Sequence, residues 1–425
     1  MTRASLRCIE PGCGRVHALA WPQPKCEACG GLLEVAYDFD RIEPCELRGR
    51  WQKRRLSDAA IDRSGVWRFR ELLPFLPAGA LPVTLSEGGT PLVPAPRTAL
   101  WAGGVRLAAK HLGGNPTGSF KDLGMTACIT WAVTAGVSAV ACASTGNTSA
   151  SMAAYAARAG LAAIMFVPFQ GIAAAKLAQA LEFGARVVEV RGSFDDAFRL
   201  LEAVSAERGL YVVNSINPFR LEGQKTAVVE LLDQRAWVAP DFLVLPGGNL
   251  GNVSAMGKAL RELRELDVLE RVPRLVVVQA AKAAPFHRHW ISRQPLQAVE
   301  HPETEATAIR IGHPANWPKA DRELQWTDGL VETVTDAEIE QAKTALAADG
   351  IGCEPASAAA VAGLRKLCQS GRISPDADVV AVLTGHQLKD PDYILRRYAR
   401  QEGTQRIVVD AGPEGVRRVL DALPV

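Results

Sequence analysis

From about residue 104 onward, short β-branched or apolar runs alternate with Ala-rich stretches of helical periodicity. The runs 105–109, 137–142, 163–167, 187–190 and 211–213 predict strands, and the rhythm continues with 242–245, 275–279 and 379–383. Strands separated by helices imply βαβ units, so the body is expected to be an α/β protein built on mainly parallel, twisted sheets with flanking helices. Glycine-rich and polar loops interrupt the pattern at the strand ends, where parallel sheets bind ligands. The segment 285–290, PFHRHW, follows neither periodicity and receives no assignment.

Composition narrows the class. A chain of 425 residues with 48% hydrophobic and 22% charged side chains can bury a large core, which excludes a disordered or collagen-like protein. The net charge of +2 offers no general attraction for a polyanion, so no nucleic-acid partner is expected and any anion recognition must be local. The short basic run Lys53, Arg54, Arg55 reads as a solvated connector or helix face. No stretch approaches the ~20 apolar residues of a membrane span, and the first residues lack an apolar targeting core; no membrane partner and a cytoplasmic location are expected.

Nine cysteines, an odd number, suit a reducing compartment better than a disulfide framework. Four of them cluster. Cys8 and Cys13, then Cys26 and Cys29, form two pairs that each end in glycine, as thiolate-presenting turns require. A structural zinc ribbon is one reading, and a metal-free ribbon or unligated thiols the other; a redox pair is disfavoured because no βαβ pattern surrounds the motif.

Five loops carry candidate chemistry. In the loop 111–122, HLGGNPTGSFKD, Lys121 falls in the first turn of a helix starting near Ser119. The positive end of the helix and burial against Phe120 would both favour a neutral amine able to attack a carbonyl. The loop 143–149, ASTGNTS, sets Ser144, Thr145 and Thr148 at a helix start as a nest for a carboxylate, with Asn147 as an amide donor. In PGGNLGN, 246–252, three glycines let backbone N–H groups approach a phosphate, although the order matches neither a P-loop nor a dinucleotide fingerprint. The segment 214–226, NSINPFRLEGQKT, places Arg220 and Lys225 at another helix start, with Asn214 and Ser215 as neutral donors for a second anion. Thr384 closes the last strand in LTGHQLKD.

Together with SEGGTPL (86–92) and CEPASAAA (353–360), these segments resemble the threonine synthases among pyridoxal-phosphate enzymes of fold type II. The resemblance spans most of the chain, and the CEACGGLLEV stretch (26–35) is similar to the leader of many members. It implies that Lys121 links to pyridoxal 5'-phosphate and that Gly247, Gly248, Asn249, Leu250 and Gly251 bind its phosphate. It further implies that Asn147 bonds the phenolic oxygen and Thr384 faces the pyridine nitrogen, a neutral hydroxyl that does not enforce ring protonation. Ser144, Thr145 and Thr148 would hold the substrate carboxylate; Asn214, Ser215, Arg220 and Lys110 would hold a substrate phosphate.

The implied reaction converts O-phospho-L-homoserine and water to L-threonine and phosphate. A β-replacement on phosphoserine of the cysteate-synthase kind keeps the same anion site and stays open; a threonine or serine dehydratase needs no phosphate clamp. A nucleic-acid-binding protein carrying the ribbon is the non-enzymatic alternative, with few basic residues in its favour. The implied organisation is a ribbon-like segment at 1–46, a connector at 47–83, a large cofactor domain from 84–120 and 216–410, a small domain at 121–215 and an extension at 411–425. A homodimer stays open. Two departures from the family pattern bear on substrate preference: Gly171, where a lysine is common, and His313, where an asparagine is more usual.

Overall fold

The computed structural model describes residues 3–20, 23–39, 43–77, 79–169, 174–399, 409 and 411–421. The chain divides into the compact units Met1–Lys389 and Asp390–Val425. The second contains the helices Pro391–Ala399 and Pro413–Asp421. No helix among the described residues is long and apolar enough to cross a membrane.

In the first unit, a six-stranded sheet runs in the order Leu330–Val334, Arg274–Ala280, Phe242–Pro246, Asp378–Leu383, Arg106–His111, Leu92–Pro94. All its pairings are parallel except that of the edge strand Leu92–Pro94. A four-stranded, wholly parallel sheet orders Arg186–Val190, Ala162–Pro168, Ala139–Ala143 and Tyr211–Val212. All eight strands expected from the apolar runs are present, within two residues of their expected ends. The strand Phe242–Pro246 is buried at every position, which is why it reads as a continuous apolar run rather than an alternating one.

The N-terminal strands Arg3–Cys8, Val16–His17 and Leu33–Asp38 form an antiparallel sheet. It docks on the body through polar contacts. Lys319 donates to the Leu33 carbonyl at 2.7 Å, Arg322 pairs with Glu34 at 2.7 Å, and the Tyr37 hydroxyl donates to Glu222 at 2.8 Å.

The expectation of a solvated basic run holds for Lys53 and Arg55, which are exposed, and is corrected for Arg54. The basic run ends the helix Pro44–Arg55, but Arg54 is turned inward, forked onto Glu71 and the Arg68 carbonyl, while Trp51 of the same helix is fully buried against Phe69 and Trp237. This part of the connector is a packed element because its aromatic residues need a core. The unassigned segment 285–290 is the helix Pro285–Ser292, which opens on a proline and buries Phe286 and Trp290.

Candidate active site

Lys121 opens the helix Lys121–Thr134, and Phe120, just before it, donates its N–H to the Thr384 carbonyl at 2.9 Å. That bond ties the lysine turn to the end of the strand Asp378–Leu383. Burial pushes the Lys121 amine down to about 7; the nearby Arg220 charge adds to the drop and Glu354 opposes it. Phe120 packs against the amine and so acts on it in two opposed ways. It helps to exclude water, yet its ring face lies 4.2 Å from Nζ, an arrangement that favours a cation.

Arg220 lies near the start of the helix Pro218–Gln234, which Asn217 caps by accepting from the Phe219 N–H at 3.1 Å. The guanidinium is 1% exposed, and only one of its nitrogens has a partner: Nη1 donates to the Val213 carbonyl at 3.0 Å, whereas Nε and Nη2 have none. A buried guanidinium with open donors is costly unless an anion completes it. Gln224 Oε1, Asn316 Oδ1 and both polar atoms of the Asn252 amide are likewise buried and unpartnered. Asn316 Nδ2 reaches the Ser215 carbonyl at 3.0 Å, while its backbone N–H bonds the Asn249 carbonyl at 3.2 Å. The segment carrying Asn316 thus joins the Asn214–Ser215 loop to the glycine loop.

The glycine loop leaves the strand Phe242–Pro246 and enters the helix Gly251–Glu265, with Leu250 left-handed at φ 62°. A Cβ on Gly247 would stand 2.6 Å from Val277 Cγ1, and one on Gly248 3.0 Å from the Ala308 carbonyl oxygen. Only bare backbone fits this cradle, as close phosphate binding at a helix N-terminus requires.

Asn147 begins the helix Asn147–Ala159, with Ser144, Thr145 and Thr148 half-buried around that end; Ser144 Oγ accepts the Gly146 N–H at 3.3 Å. Asn147 Nδ2 donates to Glu354 Oε2 at 3.0 Å, and Thr384 Oγ1 to Glu354 Oε1 at 3.3 Å. Glu354 was missed from the sequence because nothing in its neighbouring residues shows that Asn147 and Thr384, far off in the chain, converge on it. It sits at the cap position of the helix Pro355–Gln369 but makes no capping bond, which frees its carboxylate for the site.

Two expected phosphate ligands are placed elsewhere. Lys110 spends all three of its N–H donors on the Thr90 carbonyl, Glu230 and Gln234, so none remains for a substrate. Lys225 is fully buried between Glu222 and Glu262 under the Tyr37 ring. Asn214 is partly committed, pairing with the Ala143 backbone at both its Oδ1 and Nδ2. His313 is exposed, and Gly171 lies outside the described residues.

A lysine amine neutral near pH 7, a backbone phosphate cradle, and a hydroxyl and an amide converging on one carboxyl fit the donor set of pyridoxal 5'-phosphate. At the end of the strand Arg3–Cys8, the Sγ atoms of Cys8, Cys13, Cys26 and Cys29 all lie within 4.8 Å of one another.

Residues 83–385 match the pyridoxal-phosphate dependent enzyme family. A threonine synthase of Methanocaldococcus jannaschii is 44% identical over 92% of this chain and 94% of its own length, and one of Methanosarcina acetivorans is 43% identical over 98% of both. In fold, a tomato (Solanum lycopersicum) threonine deaminase isoform superposes with a TM-score of 0.62 at 18% identity, covering 82% of this chain and 92% of its own. Maize serine racemase reaches 0.61 at 20%, covering 73% and 94%. With a family match across most of the chain and relatives above 40% identity along nearly its whole length, the chain belongs to the threonine synthases, within the pyridoxal-phosphate dependent enzymes.

Proposed function

We propose that this chain converts O-phospho-L-homoserine and water to L-threonine and phosphate. The observation that carries the reading is the buried, incompletely bonded Arg220 guanidinium, electrostatically coupled to Lys121. An amino-acid substrate with a terminal phosphate satisfies both: its amino end lies at the lysine while its phosphate takes the N–H groups of the two open nitrogens, Nε and Nη2. Bound pyridoxal phosphate supplies the electron sink that acidifies the Cα and Cβ protons and lets the γ-phosphate leave.

The chain's own residues do the rest. Lys121 Nζ, neutral near pH 7, anchors the cofactor and, once released, accepts the Cα proton. Ser144, Thr145 and Thr148 hold the substrate carboxylate; Ser215, Arg220 and the remaining donor of Asn214 hold its phosphate. Backbone N–H groups of Gly247, Gly248, Asn249, Leu250 and Gly251 hold the cofactor phosphate, and Asn147 and Thr384 orient the ring. In this reading 84–120 and 216–410 make the large cofactor domain, 121–215 the small domain and 411–425 an extension. Nine free thiols suit a cytoplasmic location.

Parallel incubation with phosphohomoserine, with phosphoserine plus sulfite, and with threonine tests the reading. Phosphate and threonine are expected from the first alone; cysteate from the second or 2-oxobutyrate from the third, with no threonine formed, would overturn it.

The ribbon supports a second assignment: we infer that Cys8, Cys13, Cys26 and Cys29 hold one structural zinc. Zn–S bonds of about 2.3 Å in a tetrahedron put sulfurs about 3.8 Å apart. Cys8 and Cys29 are 3.5 Å apart, and Cys13 and Cys26 3.8 Å. The Gly31 N–H donates to Cys29 Sγ at 3.4 Å and His17 Nε2 lies 3.4 Å from Cys26 Sγ, contacts of the kind that orient zinc thiolates. Without a metal the thiols part ways: Cys26, although burial raises it, is brought down to about 6 chiefly by its contact with His17, whereas burial pushes Cys8 up to about 12.

A further inference from the structure

Hydrogen-bond accounting at the end of the strand Asp378–Leu383 assigns a direction to each proton. Ser357 Oγ accepts the N–H groups of Thr384 at 2.8 Å and Gly385 at 3.0 Å, which fills both lone pairs of its hydroxyl. Its own proton must therefore go to Thr384 Oγ1, 3.0 Å away. Thr384 is left with one lone pair and one proton. Glu354 Oε1, at 3.3 Å, competes for that proton with whatever faces the hydroxyl from the site. The other carboxyl oxygen, Oε2, accepts from Asn147 whether or not the acid is ionised, because a protonated carboxyl keeps one carbonyl oxygen.

We propose that Glu354 is a positioning residue that sets, through the Thr384 hydroxyl, whether the cofactor's ring nitrogen carries a proton. Ionised Glu354 draws the Thr384 proton to itself, so Thr384 turns a lone pair to the ring and favours the N–H form. Protonated Glu354 donates from Oε1 to Thr384, whose own proton is then offered to a bare ring nitrogen. The balance is one proton, held on Glu354 in one state and on the ring in the other. The inference rests on the reading that Thr384 faces the ring nitrogen.

Electrostatics keeps both states relevant. Burial raises Glu354 above the ordinary carboxylate range, while Asn147, Lys389, Lys121 and Thr384 pull it back without cancelling the rise. These groups come from every side of the carboxyl: the starts of the helices Asn147–Ala159 and Lys121–Thr134, the strand end at Thr384, and Lys389 beyond it. No Cβ separates this carboxyl from the neighbouring backbone, since one on Gly385 would meet Glu354 Cδ at 2.5 Å.

The test is the 15N resonance of ring-labelled pyridoxal phosphate in the reconstituted holoenzymes, followed against pH. In the wild type the resonance should lie between the protonated and unprotonated positions while the pair holds its one proton, and move to the unprotonated position once rising pH removes that proton. In Glu354→Gln, whose amide donates to Thr384 at every pH, it should stay at the unprotonated position. A Glu354→Gln resonance that tracks the wild type while Thr384→Val shifts it would overturn the proposal at Glu354. A resonance unmoved by Thr384→Val would overturn it at its base, the placement of Thr384. Should Glu354→Gln not retain cofactor, infrared titration of the wild-type apoprotein still decides: a buried carboxylic-acid band that disappears as pH rises supports the proposal, and a carboxylate ionised throughout overturns it.

Discussion

A Cβ added to Gly223 would stand 3.0 Å from the Cα of Gly124 and closer still to the Leu123 carbonyl, so the helices Pro218–Gln234 and Lys121–Thr134 cross with backbone against backbone. One turn earlier on each helix stand Arg220 and Lys121. The glycine contact therefore sets how near the guanidinium comes to the reactive amine.

Gly223→Ala should destabilise the protein by about 1–3 kcal/mol, the usual range for overpacking, and weaken cofactor retention because the crossing must open. Thermal melting and the visible absorbance of purified protein check this; unchanged values for both would show that the helices separate freely.

Cofactor capture should follow the Lys121 amine. Apoprotein is expected to bind pyridoxal phosphate covalently at a rate that is half-maximal near pH 7 and levels off above it, because the buried amine loses its proton near 7 and not near the ordinary lysine value of 10.5. The native state then holds fewer protons than the unfolded chain between these values, so the Lys121 contribution to apoprotein stability increases with pH across that window. Lys121→Met should remove both dependences, and borohydride fixation should label only the peptide containing Lys121 in the wild type.

Arg220→Ala should reduce kcat/KM for phosphohomoserine by about 10- to 150-fold, the equivalent of one charge-assisted contact of about 1.5–3 kcal/mol. The apoprotein should melt no lower, since the change also removes a buried cation with two unpartnered nitrogens. Arg220→Lys should recover part of the activity, lacking the planar fork. A fall in melting temperature with no selective kinetic loss would make Arg220 a structural residue instead.

Lys110 should behave in the opposite way. Lys110→Met leaves the Glu230 carboxylate buried without its cation, a loss of about 3–5 kcal/mol, with KM for phosphohomoserine unchanged in the protein that folds. Adding Glu230→Gln should restore part of the stability. A selective rise in KM would return Lys110 to the substrate site.

Metal analysis should find one zinc per chain, and chelation should lower the melting temperature while leaving the cofactor absorbance in place, since the four cysteines precede every catalytic loop in the chain. Cys26→Ser should reproduce the effect. Zinc-free protein of undiminished stability would leave the ribbon without a metal.

How much was legible depended on whether the signal was local. The strands Phe242–Pro246 and Asp378–Leu383 declare themselves because buried parallel strands are apolar at every position. The strands Leu92–Pro94 and Leu330–Val334 were missed: the first is a three-residue edge, and the second mixes Glu332 and Thr333 into its run. The helix Pro285–Ser292 was unreadable because it has barely two turns, and the polar His287 and His289 are half-buried rather than set on a solvent face, so no period emerges.

The sequence by itself determined the α/β alternation, the glycine cradle, the lysine at a helix start and the cysteine quartet, because each is written in neighbouring residues whose backbone conformations and side-chain types suffice. Only the tertiary structure decided which polar groups meet. Lys110 and Arg220 look equally suited to a phosphate in the chain, yet Glu230, 120 residues beyond Lys110, consumes one, and no carboxylate is paired with the other. Glu354 came to bridge Asn147 and Thr384 in the same way, from three separate helices and strands. Desolvation makes such long-range pairing decisive: a charge buried with a partner is spent on the fold, and a charge buried without one is left for a ligand.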